Sequence, residues 1–332
     1  MMTFMKHLFL SFLSLICLTL AGVAIIFGFG AHHYLSPAKN AEPSQIIIKR
    51  GSSVHAIAEQ LKAQGVITYP LVFKASARFG DSLKAGEYLF PARASIKEVI
   101  TLLRKGEVID RKVTLIEGLT SHQIVKRLNA LTDIKGDKIT KIPAEGSLLP
   151  NTYHYQHGDT RQDMINRMQK DMRKSIDELW PTRVDNLPIS TKSEAIILAS
   201  IIEKETAVAY ERARVAGVFI NRLRKGMLLQ TDPTVIYALT KGDIQEKGKG
   251  PLGRRLLRKD LSVDSQYNTY KYTGLPPGPI ANPGRASIAA ALNPEKHDYI
   301  FFVADGTGGH KFAKTLREHN ENVRQWRKVR GK

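Results

Sequence analysis

The feature that most constrains this fold is an uncharged apolar segment near the N-terminus. Leu8 to Phe29 is 22 residues long and contains no acidic or basic side chain. At about 1.5 Å per residue, a helix of this length crosses a bilayer core of about 30 Å. The Ala31-His32-His33-Tyr34 that follows is a poor signal-peptide cleavage site. We therefore expect a cytoplasmic tail (1–7) and an uncleaved single span (8–29). The rest of the chain would lie on the far side of the membrane.

The charge balance favours anionic partners without selecting one. Lysine and arginine number 50 against 31 acidic residues, a formal charge of +19. Such a surface suits nucleic acid, an acidic membrane face or anionic cell-wall polymers. No nucleic-acid motif accompanies the charge, so we expect no nucleic-acid partner. The ten histidines lack metal-ligand spacing, and the single cysteine, Cys17, lies inside the apolar segment. We therefore expect no metal site, and no disulfide or thiolate nucleophile in the rest of the chain.

The first folded part is predicted to be a small α/β module. A linker (30–44) leads to a β-rich run at Gln45, and two helical patterns, the first capped by Ser52 or Ser53, then precede a strand near Gly86. Ser95 is placed to cap a further helix that ends at Gly106. A β-α-α-β unit of this size is typical of carbohydrate-binding LysM modules, so residues 45–110 are interpreted as LysM-like. The strand-turn-helix unit is also common elsewhere, so this interpretation stays a hypothesis.

A larger, helix-rich part follows over residues 111–332. It opens with a second small α/β segment (about 111–145), in which Gly118 matches Gly51 at an offset of 67 residues. Methionines at i+4 spacing, from Met164 to Met172, predict a helix whose apolar side joins the core. The whole chain is thus expected to be α+β: a transmembrane helix, one or two LysM-like modules, and a mixed, helix-rich larger domain.

An apolar run from Ile196 to Ile202 ends in two acids, Glu203 and Glu205. On a helix, Glu205 continues the apolar stripe formed by Leu198, Ile201 and Ile202, whereas Glu203 points to roughly the opposite side. A carboxyl group on an apolar face loses hydration, which raises its pKa and suits it to act as a general acid. The alternatives are that the helix emerges into solvent here, or that Glu205 pairs with an arginine.

Two later segments suit a sugar ligand. Residues 274–284 contain four prolines and three glycines, which set the chain in rigid turns. Tyr267-Asn268-Thr269-Tyr270 offers rings for stacking and polar groups for hydroxyls. The same residues could instead brace a long loop.

Several ordered motifs closely resemble those of the MltG/YceG-like endolytic murein transglycosylases. They are Ala199-Ser200-Ile201-Ile202-Glu203-Lys204-Glu205-Thr206, Val218-Phe219-Ile220-Asn221-Arg222-Leu223, Leu229-Gln230-Thr231-Asp232-Pro233-Thr234, Tyr267-Asn268-Thr269-Tyr270, Thr273-Gly274-Leu275-Pro276-Pro277-Gly278 and Phe302-Val303-Ala304-Asp305-Gly306. The resemblance covers the chain from the anchor to about Trp326. One departure is Leu149-Pro150-Asn151, where relatives tend to have an aromatic residue before the proline and aspartate after it.

The resemblance implies an enzyme of the inner, cytoplasmic membrane, with its catalytic domain (111–332) on the periplasmic or extracytoplasmic side. Such an enzyme cleaves nascent peptidoglycan strands between MurNAc and GlcNAc and leaves 1,6-anhydro-MurNAc ends. Its catalytic glutamate is the second acid of the E-K-E-T motif, here Glu205, acting without a cofactor as acid and then base. We expect Gln230, Asp232, Asn268 and Tyr270 to hold sugars, and peptidoglycan synthases are possible partners. The alternative function is a non-catalytic peptidoglycan-binding scaffold that recruits wall-synthesis proteins.

Overall fold

The computed structural model describes residues 2–244 and 251–330. The fold is a mixture of α-helices and short β-strands, and the strands described form two-stranded sheets. The chain divides into two compact units, Met1–Arg111 and Lys112–Lys332.

The first unit begins with one long helix. Helix α1 (Met2–Leu35) has 34 residues. Within the described chain, Met5–Leu35 is the one stretch long and apolar enough to cross a membrane. Residues 30–35, at the start of the predicted linker, continue this helix. No proline interrupts them before Pro37, and the residue before a proline disfavours the helical conformation.

The rest of the first unit has the β-α-α-β order predicted from the sequence. Strand β1 (Ser44–Ile48) pairs antiparallel with β2 (Gly86–Phe90). Between them in the chain lie α2 (Val54–Ala63) and α3 (Pro70–Ala77), and α4 (Ile96–Lys105) follows. Helix α4 starts at a Ser95 capping box and ends at Gly106 with φ 74°, which confirms both predicted caps. The core takes side chains from every one of these elements: Ile48, Leu61, Phe73, Tyr88 and Leu103.

The second unit contains the remaining elements. In chain order they are β3 (Arg111–Thr114), α5 (Ser121–Ala130), β4 (Thr152–Tyr155), α6 (Arg161–Leu179), α7 (Lys192–Glu205), α8 (Arg212–Arg224), α9 (Asp232–Thr240), α10 (Arg285–Leu292), β5 (Phe301–Ala304), β6 (His310–Ala313) and α11 (Leu316–Arg330). Strand β3 pairs with β4, and β5 pairs antiparallel with β6. The sequence predicts a buried strand at 299–303, but β5 is only half-buried.

Two hydrophobic clusters support the second unit, and α6 contributes to both. Met164 and Met168 pack with α5 and β4 in one cluster. Met172 packs with α7, α8 and α10 in the other. The methionine row is therefore core, as predicted.

Asn282 joins distant segments of the second unit and is fully buried. Its backbone N–H and its side-chain nitrogen both donate to the Leu119 carbonyl oxygen, at 2.9 and 3.1 Å. The side-chain nitrogen also donates to Ser121 Oγ at 3.1 Å and to Glu145 Oε1 at 2.9 Å. Its side-chain oxygen accepts from the Leu148 N–H at 3.0 Å. These bonds fix the proline-rich turn against the start of α5.

Candidate active site

Helix α7 places the two candidate acids at its C-terminal end. Thr191 and Glu194 form a capping box at its start, and every residue from Ala195 to Ile202 is buried. Helical spacing predicts one apolar stripe on α7, whereas the observed helix is buried on all sides over this stretch. A helix surrounded by other elements is apolar on all sides, and α7 packs against α8, α9 and α10.

Glu205 is the last residue of α7 and is half-buried. Burial raises the pKa of its carboxyl group to about 7, and the nearby charge of Asp232 acts in the same direction. The Thr231 hydroxyl and the Arg222 guanidinium oppose this rise. A carboxyl group with this pKa still carries its proton in a large fraction of molecules at neutral pH.

Arg222 and Thr231 lie close to Glu205, and both oppose the rise of its pKa. Arg222 is buried and donates to the carbonyl oxygens of Ile300 at 2.7 Å and Leu229 at 2.8 Å. Its charge is therefore held in place by the backbone. The Thr231 hydroxyl is close enough to lower the pKa of Glu205. It nevertheless forms no hydrogen bond of ordinary geometry within the described part of the chain.

Gln230 has a constrained backbone and an exposed side chain. Its φ of 51° lies in the left-handed region, which is costly for a residue with a Cβ atom. Two bonds maintain this turn: the Gln230 N–H donates to the Thr269 carbonyl oxygen at 3.0 Å, and the Thr231 N–H donates to Thr269 Oγ1 at 3.1 Å. The turn lies between Leu229, a buried core residue, and Asp232, the first residue of α9.

The other predicted sugar contacts occupy different environments. Tyr270 donates from its hydroxyl to Asp232 Oδ1 at 2.6 Å, and Asp232 is exposed. Asn268 is fully buried, and its side-chain nitrogen donates to the carbonyl oxygens of Leu261 and Val263. The Asn268 side-chain oxygen accepts from the Tyr270 N–H at 3.0 Å. After burial, the charge of Asp232 raises the pKa of Glu205, and both acids raise the pKa of Tyr270, so these three groups lie close together. Gln230 lies two residues before Asp232 in the chain. Asn268 instead supports its own loop from inside.

Glu203 is committed to a structural network. Its side chain is 4% exposed and accepts from the Gly284 N–H at 2.9 Å. Arg212 lies between two carboxylates, at 3.7 Å from Glu203 and 3.4 Å from Glu117. Glu203 is therefore tied to the N-terminus of α10, which favours a carboxylate.

A second carboxyl group with an unusual pKa was missed by sequence reasoning. Burial raises the pKa of Glu145 to about 7. Its Oε1 accepts from the Ser121 N–H at 2.8 Å and from Asn282 Nδ2 at 2.9 Å. Glu145 directly precedes the loop that leads to β4, but no helical stripe or acid pair marks it in the sequence. Among the described residues, no group of three or more His, Cys, Asp and Glu side chains could hold a metal ion.

Comparison with known sequences places this chain in a family. The family model described as the YceG-like family matches residues 46–325, and the chain belongs to that family. An endolytic murein transglycosylase of Bacillus subtilis (strain 168) is 35% identical over 309 residues, covering 83% of this chain and 82% of that protein. An endolytic murein transglycosylase of Streptococcus pneumoniae (serotype 2, strain D39) is 29% identical over 326 residues, covering 83% of this chain but 57% of that longer protein.

A solved structure supports the same assignment. The 2.6 Å crystal structure of a yceG-like protein from Listeria monocytogenes has a TM-score of 0.51 and 33% sequence identity. It covers 84% of this chain, and this chain covers 98% of it.

Proposed function

We propose that this chain is an endolytic murein transglycosylase with Glu205 as its catalytic acid and base. The observation that carries this proposal is the half-buried carboxyl group at the end of α7, whose pKa is raised to about 7. The names of the Bacillus and Streptococcus relatives support the substrate class. The positive charge of the chain suits anionic wall polymers.

The proposed reaction needs one carboxyl group and no activated water. Protonated Glu205 gives its proton to the glycosidic oxygen as the bond from MurNAc C1 to that oxygen breaks. The MurNAc C6 hydroxyl oxygen then bonds to C1, and its proton returns to Glu205. The products are a GlcNAc hydroxyl end and a 1,6-anhydro-MurNAc end, so the atoms balance without water. Hydrolytic glycosidases instead generally use two carboxyl groups.

Three neighbours would support that proton transfer in different ways. Burial raises the pKa of Glu205 and the charge of Asp232 adds to this rise, while the Tyr270 hydroxyl holds Asp232 in position. Gln230, two residues before Asp232 in the chain, presents an exposed amide on its constrained turn. We therefore assign direct sugar contact to Gln230, Asp232 and Tyr270. Asn268 would act by positioning the Tyr270 loop.

The first unit would hold the enzyme at its substrate. Helix α1 would anchor the chain in the cytoplasmic membrane, with the catalytic unit on the extracytoplasmic side. The β-α-α-β order of residues 45–110 is compatible with a LysM-like glycan-binding module. Peptidoglycan synthases would be fitting partners, because they produce the nascent strands.

Digestion of un-crosslinked glycan strands, with product analysis by mass, tests the proposal. The wild-type chain should release fragments ending in anhydro-MurNAc, and Glu205→Gln should release almost none. The matched control is Glu203→Gln, which changes a neighbouring acid on the same helix. Reducing ends formed by hydrolysis would contradict the transglycosylase reaction. Full biological rescue by Glu205→Gln would instead support a non-catalytic scaffold.

A further inference from the structure

An open apolar groove lies inside the first unit, between the C-terminal part of α1 and helix α3. Its volume is about 610 Å³. Helix α1 lines it with Ile26, Phe27 and Phe29, and α3 with Leu71 and Ala75, followed by Phe79. Leu71 is 75% exposed and Phe79 is 77% exposed. Exposed apolar side chains that border a groove of this kind mark an interaction surface.

The position of the groove on α1 indicates what fills it. Ile26, Phe27 and Phe29 lie at the end of the uncharged segment 8–29, which would lie in the hydrocarbon region. Side chains of α3 share a cavity with these same residues. Helix α3 therefore lies at the depth where the span leaves the bilayer, and the groove is continuous with the lipid-facing surface of α1.

Contacts between aromatic rings hold α3 beside the part of α1 where the span leaves the bilayer. The ring of His33 lies 4.3 Å from that of Phe29 and 3.8 Å from that of Tyr69, measured between centroids. Tyr69 is the N-cap residue of α3. Aromatic rings with a polar tip are enriched where membrane-spanning helices meet water.

The basic side chains at α3 also fit a helix that lies at the membrane surface. Leu71, Ala75 and Phe79 follow i+4 spacing along one stripe. Arg78 is exposed at the edge of this stripe, and Lys74 lies beyond it, 3.6 Å from Glu59. Basic side chains beside an apolar stripe are typical of helices that lie in the membrane interface.

We propose that α3 lies in the outer interface of the membrane that α1 spans, with Leu71 and Phe79 among the lipid acyl chains. Acyl chains fill the groove, and Arg78 faces the lipid phosphates. The first unit is then seated on the bilayer by two elements. This inference rests on the proposed membrane anchor and is independent of the chemistry of Glu205.

Site-specific labelling of the full chain in lipid vesicles tests this arrangement. Vesicles of phosphatidylethanolamine and phosphatidylglycerol would carry a lipid with a quenching group on its acyl chain. An environment-sensitive fluorophore is attached to Leu71→Cys or Phe79→Cys, each in a Cys17→Ser background. The matched control is Leu89→Cys, another exposed leucine of the same unit that does not line the groove. Wild-type chain labelled at Cys17 reports on the span itself.

The expected result is quenching by the lipid group at positions 71 and 79 at least about twice as strong as at 89, with weak quenching by aqueous iodide. Lipid quenching at Cys17 together with iodide quenching at 71 and 79 would overturn the inference and leave the anchor intact. Iodide quenching at Cys17 would overturn both. Shielding of 71 and 79 from both quenchers, increasing with protein density, would show a second copy in the groove and also overturn it.

Discussion

Glu205 and Glu145 have carboxyl groups with nearly the same acidity but different surroundings. Burial is the first cause of a pKa near 7 in both. Glu145 accepts hydrogen bonds from the Ser121 N–H and the Asn282 side chain, which hold one of its oxygens. Beside Glu205, the Thr231 hydroxyl forms no hydrogen bond of ordinary geometry in the described chain. Burial therefore raises the pKa of both carboxyl groups, and the two sites differ in the hydrogen bonds around them.

The largest expected difference is in the rate of strand cleavage. Glu205→Gln should lower the rate by a factor of about 10² to 10⁴, the usual contribution of a general acid. Glu145→Gln should lower it less than about tenfold, because the glutamine oxygen can still accept from Ser121 and Asn282. Initial rates on purified glycan strands measure both. Equal losses in two folded variants would break the distinction between these carboxyl groups.

The next effect concerns the pH dependence of stability. The pKa of Glu145 is about 7 in the folded chain against 4.5 when exposed. Its contribution to stability is thus fully present below pH 4.5 and is lost as the pH rises through about 7. Glu145→Gln cannot ionise, so its stability should rise relative to wild type over that window, by at most about 3 kcal/mol.

Urea unfolding of the full chain in detergent at pH 5 and pH 8 measures this relative change. Glu203→Gln serves as the control, because it alters a buried acid whose hydrogen bonds lie elsewhere in the unit. A constant difference between Glu145→Gln and wild type across that range would contradict the prediction.

A smaller effect is expected in the pH profile of the rate. Glu205 must be protonated to act as an acid, so the rate should fall about tenfold per unit well above pH 7. Asp232 raises the pKa of Glu205 by its negative charge, but less than burial does. Asp232→Asn should therefore move the falling limb to lower pH, by less than about one unit. A shift to higher pH would show that Asp232 does not act through its charge.

The smallest expected effect on the rate of strand cleavage belongs to Glu203→Gln. Glu203 contacts Gly284 and Arg212 and faces no substrate group in the proposed mechanism. Losing one charged contact should cost about 1 to 3 kcal/mol of stability, while the rate stays within a few-fold of wild type. Thermal melting and initial rates on the same preparation separate these outcomes. A rate loss as large as that of Glu205→Gln would reverse the assignment of the two acids.

Local signals made much of the fold predictable. The Ser95 cap and the Gly106 terminus of α4 depend on neighbours within a few residues, and both are observed. The prediction of one apolar stripe on α7 was too narrow, because its surroundings come from α8, α9 and α10. Strand β5 is less buried than its hydrophobicity predicts, because in the described part of the chain its sheet contains two strands.

The site was predictable only in part for the same reason. Glu205 stands out because its helical neighbours are apolar. The network of Glu203 depends on Gly284, 81 residues away, and that of Glu145 on Asn282, 137 residues away. No spacing rule connects such partners. The assignment of Asn268 as a sugar contact could not foresee that its amide is enclosed by its own loop.

The bonds of Asn282 have a consequence for the order in which the protein forms. They join segments separated by 134 to 163 residues, so the catalytic unit cannot complete its interior until the chain beyond residue 282 has been delivered. Contacts of such long range form slowly. The first unit is complete by Arg111 and can assemble earlier. The first unit would thus fold while the second unit is still an open chain, exposed to proteases until the rest of its residues have been synthesised.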